Sequence, residues 1–165
     1  MQLYLFRHGI AEDVSADGSD FSRRLTKEGI DRTRRAVGGL SRLIDPPEHI
    51  LSSPKVRAVE TARLAAEVFE RDITTEDALA HEALDPIIEA VRGHRAESLM
   101  LVGHEPTFSR LAEQLCTAGR AADFIELKKA GCLAIDLRPG GPLSGPRAVL
   151  LWALTPKVLR KLARE

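Results

Sequence analysis

Residues 3–9 read LYLFRHG. Four apolar side chains in a row, without polar alternation, suit a strand covered on both faces, as in a parallel sheet. The run breaks at Arg7, His8 and Gly9. Polar side chains placed directly after such a strand are costly to bury unpaired. A strand end opening on a cleft accommodates them, and Gly9, lacking a Cβ, allows a close approach or an unusual turn there.

The same pattern recurs twice. Ile50 and Leu51 run into Ser52, Ser53 and Pro54, and LMLV at 99–102 runs into Gly103, His104, Glu105 and Pro106. Helical spacing follows each break. Thr26 is expected to cap a helix carrying Ile30, Thr33, Val37, Leu40 and Ile44 on one face, although Gly29, Gly38 and Gly39 weaken it. Ser53 and Pro54 are expected to cap and open a helix with a face of Val56, Val59, Ala62, Ala66 and Phe69. Phe108, Leu111 and Leu115 mark another after Pro106. Residues 84–92 predict a short helix, and Thr155 with Pro156 opens a last one running through Leu162. CLAIDLR at 132–138 and RAVLLWAL at 147–154 read as strands, and the turn formers between them suit a loose hairpin. Polar residues 9–24 read as a long loop, a length often kept for function.

These elements predict an α/β three-layer sandwich, with a mainly parallel central sheet flanked by helices and an antiparallel C-terminal strand pair. The 165 residues suit a single domain over 1–165. Ligands of such sheets bind beyond the carboxyl ends of the strands. That rule brings Arg7, His8, the 52–57 turn and His104 to one end. A helix start there offers unpaired N–H groups and partial positive charge, a natural anion site, with Arg57 in its first turn. Taken singly, each residue has an ordinary explanation: a structural histidine, a helix-start histidine, an arginine paired with Glu60 one turn on. Three such breaks at matching positions are poorly explained by accident.

Composition narrows the alternatives. Twenty-four basic residues balance 24 acidic ones, so nothing attracts nucleic acid or an anionic membrane in general, and any anion site must be local. No basic stripe or aromatic platform supports a nucleic-acid binder. Cys116 and Cys132 lack zinc or redox spacing and suit a reducing compartment. Neither the N-terminal run nor the apolar stretch 148–154 is long enough for a signal or a membrane span. A cytoplasmic, monomeric protein is expected. There is no HExxH, no carboxylate cluster and no DxD-like loop, so no metal or cofactor is expected. His49 and His94 are expected to be solvated.

RHG at 7–9, the SSPxxRAxET pattern from Ser52 and VGHEP at 102–106 resemble the histidine phosphatase superfamily, the group that includes phosphoglycerate mutases and acid phosphatases. RRLTKEG at 23–29 and the short chain resemble its small SixA-type phosphohistidine phosphatases, with Arg24 where their pattern has proline. The resemblance runs from Leu3 to about Leu115. It implies a metal-independent hydrolase in which His8 is the nucleophile and is transiently phosphorylated, while Arg7, Arg57 and His104 complete the phosphate pocket. The chemistry is coherent. A histidine must be neutral to attack, and its ordinary pKa of about 6.5 leaves a sizeable neutral fraction near pH 7. Arginine forks match phosphoryl oxygens and, with a protonated His104, would supply positive charge.

The family's general acid lies between the second and third motifs. Here that region reads ALAHEALDP, which makes Glu82 the candidate proton donor and Asp85 an alternative. An acid is less needed when the bond broken is P–N. The stretch from Arg57 to His104 is too short to build much of a lid. The expected site is therefore open, suited to phosphohistidine on a protein rather than to a deeply enclosed small ligand. A phosphatase of small phosphomonoesters is the first alternative. A non-catalytic phosphate- or phosphoprotein-binding module is the second.

Overall fold

The computed structural model describes residues 1–117, 123–138 and 148–163. Six strands form one sheet: β1 (Gln2–Arg7), β2 (His49–Ser52), β3 (Ile73–Thr75), β4 (Ser98–Gly103), β5 (Cys132–Leu137) and β6 (Ala148–Leu154). Their spatial order is β3-β2-β4-β1-β5-β6. The first four are mutually parallel, while β5 runs antiparallel to both β1 and β6. The linker read as a turn, 139–146, lies outside the described residues.

Unbroken apolar strands follow from cover on both faces. Leu3, Leu5, Leu99 and Leu101 point into a core shared with α3 (Leu84–Gly93) and α4 (Thr107–Thr117). Tyr4, Phe6, Met100 and Val102 point the other way. They meet α1 (Lys27–Leu40), α2 (Val56–Phe69) and Leu159 of α5 (Pro156–Leu162). Each large side chain buried in this way stabilises the fold by roughly 1.5–3 kcal/mol. Among the described residues, no helix is long and apolar enough to cross a membrane.

Thr26 caps α1, its side chain accepting from Gly29 N, and Thr155 caps α5 by accepting from Val158 N. Gly29 and Gly39 of α1 answer packing rather than propensity. A Cβ on Gly29 would lie 2.0 Å from the Ile10 carbonyl oxygen, and one on Gly39 would lie 1.8 Å from that of Leu159.

The start of α2 differs from expectation. The helix begins at Val56, Lys55 occupies the cap position, and no side chain caps it. Ser53 is drawn away by a tertiary partner, His104. The carbonyl of Phe21, from the 9–24 loop, accepts from the Val56 N–H instead. The buried face of α2 is also rotated, to Ala58, Thr61, Ala62, Ala65 and Phe69, with Val56 and Val59 only half-buried.

Candidate active site

Parallel register brings three breaks level. Arg7 pairs with Gly103 and Ser52 with Val102, so β1, β2 and β4 end together. The chain leaves each end under tight backbone control: His8 N–H donates to Gly103 O at 3.0 Å, and Ser53 N–H to Val102 O at 2.9 Å. Beyond these ends lies a cavity of about 320 Å³, lined by Arg7, His8, Arg57 and His104 among others.

His8 is only 6% exposed. Its Nδ1 lies 2.7 Å from Gly9 O. A carbonyl can only accept, so Nδ1 carries the proton and Nε2 keeps its lone pair. The second contact agrees, since Arg57 Nε–H donates to His8 Nε2 at 3.3 Å. The turn itself is held by Gly9 N–H donating to Thr61 Oγ1 at 3.0 Å. Gly9 is also sterically required: a Cβ there would lie 2.2 Å from Thr33 Oγ1. Burial, with smaller contributions from Arg57, Arg7 and Lys129, pushes the His8 pKa down to about 3. The imidazole is therefore neutral throughout the physiological range, not merely in part as its ordinary value suggests.

The His104 ring lies 5.1 Å from that of His8, centroid to centroid, and is tilted by 54°. His104 Nε2 meets Ser53 Oγ at 2.8 Å, while its buried Nδ1 has no protein partner. Ser53 Oγ also accepts weakly from Lys55 N–H at 3.4 Å. The hydroxyl can serve the ring nitrogen as donor or as acceptor, so this contact fixes the position of His104 and not its tautomer. Burial first, then the neighbouring His8, Arg57 and Lys55, lowers the His104 pKa to about 2. His104 is thus neutral rather than the cation the sequence suggested.

Arg57 is 5% exposed. Beyond His8 it donates from Nη1 to Asp20 O at 2.6 Å and from Nη2 to Asp20 Oδ2 at 3.1 Å. The same carboxylate meets Lys55 at 3.0 Å and Arg23 at 2.9 Å, and these donors hold it well below the usual range. Arg7 donates from Nη1 to Leu127 O at 2.7 Å, and its buried Nε has no protein partner.

The carboxyls divide by environment. Glu82 lies on the cavity rim, its side chain 74% exposed and 3.7 Å from Arg110. Asp85 sits in the first turn of α3, outside the cavity lining. Glu105 lines the cavity half-buried, with a buried Oε1 lacking any partner, and burial raises its pKa.

Sequence reading therefore missed Asp20, Ser53 and Glu105. The polar loop was a signal for the first. The hydroxyl of SSP and the Glu of VGHEP stood inside motifs already singled out. Lys129 and the Leu127 carbonyl carry no local signal.

Comparison with known proteins bears on the family and the fold. The sequence model of the histidine phosphatase superfamily (branch 1) matches residues 3–83. An uncharacterized protein of Picosynechococcus sp. is 35% identical over 145 residues, covering 85% of this chain and 86% of its own. The structure of the protein histidine phosphatase SixA complexed with tungstate superposes with a TM-score of 0.79, at 22% identity, over 96% of this chain and 99% of that one. The alpha-ribazole phosphatase from Shigella flexneri superposes with a TM-score of 0.75, at 16% identity, over 94% of this chain and 97% of that one. The motifs, the α/β fold and these matches converge, and the chain belongs to the histidine phosphatase superfamily.

Proposed function

We propose that this protein is a metal-independent phosphatase that removes phosphoryl groups from phosphohistidine on a polypeptide, through a phosphorylated His8. The observation that carries this reading is the commitment of the His8 Nδ1 proton to Gly9 O. It leaves Nε2, beside Arg57 and across from His104, as a neutral nucleophile facing the cavity.

In the first step the Nε2 lone pair attacks phosphorus. A new P–N bond forms as the bond to the leaving group breaks. Arg7, Arg57 and His104 stabilise the charge on the equatorial oxygens, and the Arg57 Nε–H turns from the Nε2 lone pair to the phosphoryl group as His8 attacks. In the second step water attacks the phosphohistidine, the P–N bond to His8 breaks, and inorganic phosphate leaves. The leaving group needs a proton in the first step, and water must lose one in the second. Glu82, exposed and near Arg110, can approach the rim. Glu105 is better suited, because burial, outweighing Ser109 and Arg7, raises its pKa and so favours its protonated form.

The polar lining of the cavity, with the exposed Glu82 at its edge, supports a phosphorylated side chain presented by another polypeptide. A phosphatase of small phosphomonoesters is the second reading. It is favoured by a cavity volume near the lower bound for small-ligand sites.

The test is rapid acid quench with a phosphohistidine protein and with p-nitrophenyl phosphate. Phosphate bound to the wild type but not to His8→Ala, with higher kcat/KM on the protein, is the expected result. Full turnover by His8→Ala would remove the nucleophile, and faster turnover of the small ester would select the second reading.

A further inference from the structure

A second hollow of about 610 Å³ adjoins the catalytic cavity, and Arg7 and Lys129 line both. Its walls are cationic, with Arg32, Lys128, Lys157 and Arg160 joining the two shared residues. Among the described residues Glu126 is its single acidic lining residue, and that carboxylate pairs with Lys128. Arg32 is balanced in part by Glu28 on α1. Lys129 and Lys157 have no ion-pair partner among the described residues. A chain of zero net charge has thus concentrated positive charge beside its reaction centre. The floor between these groups is apolar, formed by Ile10, Ala130 and Pro156.

We propose that this hollow docks an acidic segment of the substrate polypeptide, with carboxylates on the cationic rim and aliphatic side chains on the floor. The inference rests on the reading of the substrate as a phosphorylated polypeptide. Continuity through Arg7 sets the geometry: a chain seated there continues directly into the cavity that receives its phosphorylated residue. Charge complementarity selects an acidic partner. Among the described residues no aromatic side chain lines the hollow, so bases of a nucleic acid would find no stacking surface there. Exposed cations of this kind steer encounter over about one Debye length, roughly 8 Å at physiological salt, so the docking must be salt-sensitive.

The test uses two phosphohistidine peptides, one flanked by glutamates and one by serines, and the double variant Arg32→Glu with Lys157→Glu. Both positions are exposed and outside the catalytic cavity. The wild type should favour the glutamate peptide about tenfold in kcat/KM at low salt, and the advantage should shrink as salt rises. The double variant should lose that preference while turning over p-nitrophenyl phosphate at the wild-type rate. Equal preference in both proteins, with p-nitrophenyl phosphate turnover intact, overturns the docking site and leaves the phosphatase reading standing. If neither peptide is hydrolysed, the phosphohistidine reading fails. Fluorescence anisotropy of the unphosphorylated glutamate peptide then still decides the docking site: weaker binding by the double variant supports it, and equal binding overturns it. Tighter binding of a single-stranded oligonucleotide than of the peptide also overturns it.

Discussion

Replacing Arg57 with alanine removes a side chain that hydrogen-bonds both His8 and Asp20 of the 9–24 loop. The structural loss is modest. Asp20 keeps Lys55 at 3.0 Å and Arg23 at 2.9 Å, so no buried charge is stranded. Stability should fall by about 1 kcal/mol, which lowers Tm by roughly 2–4 °C in a chain of this length. The catalytic loss should be far larger. Arg57 is a preorganised charged donor in a nearly dry position, and removing such a donor costs roughly 3–4 kcal/mol in the transition state. At about 1.4 kcal/mol per decade, that predicts a kcat two to three orders of magnitude down. Arg57→Lys keeps the charge but not the fork that grips the Asp20 carbonyl and carboxylate together, so it should recover only part of the loss. The variant should also shift pH dependence. Arg57 helps to lower the His8 pKa, so its removal should move the acid limb upward, while burial, the larger cause, keeps the limb below the ordinary histidine value. Stopped-flow turnover of p-nitrophenyl phosphate across pH, with Tm measured on the same samples, reads all three effects. A kcat for Arg57→Ala within fivefold of wild type would refute the assignment of this guanidinium to the phosphoryl group.

For the wild type, neutral His8 is the reactive form and its folded pKa is about 3. The free enzyme's kcat/KM, corrected for substrate ionisation, should therefore show no fall near pH 6.5, and a limb there would contradict the buried neutral imidazole. The folded state binds fewer protons on His8 and His104 than the unfolded chain does. Stability should thus decline as pH drops from about 6.5 toward the depressed values, and His8→Ala should flatten that slope in Tm against pH. Glu105→Gln should slow phosphoenzyme formation from p-nitrophenyl phosphate about 100-fold, while Glu82→Gln should cost less than fivefold; the reverse order returns the proton to Glu82. Gly29→Ala forces a Cβ to within 2.0 Å of the Ile10 carbonyl. It should destabilise the protein by about 1–3 kcal/mol, and an unchanged denaturation midpoint would refute the close approach.

Legibility followed the range of the forces. LYLF and LMLV declared doubly covered strands because burial acts residue by residue, and Thr26 declared a cap because its partner lies three residues away. The convergence of Arg7, His8, Arg57 and His104 on one cavity followed from strand ends and topology. Strand β3 left no pattern to read, since two of its three residues are exposed. Ser53 misled, because its hydroxyl answers His104 across the fold instead of the helix beside it. The anchoring of Arg7 by Leu127 spans 120 residues and has no local trace.

The reversal of β5 carries a consequence for how this molecule can diversify. Because that strand runs against β1, the chain enters it from the reactive end, where Ala130 N–H reaches both the Arg7 and the His8 carbonyls at 3.1 Å. Nucleophile and arginines sit on one portion of the polypeptide, whereas residues 126–130, on a later portion, wall the neighbouring ground. A change of recognition in 126–130 must therefore keep the Leu127 carbonyl and the Ala130 N–H in place, because the same short segment seats Arg7 and His8.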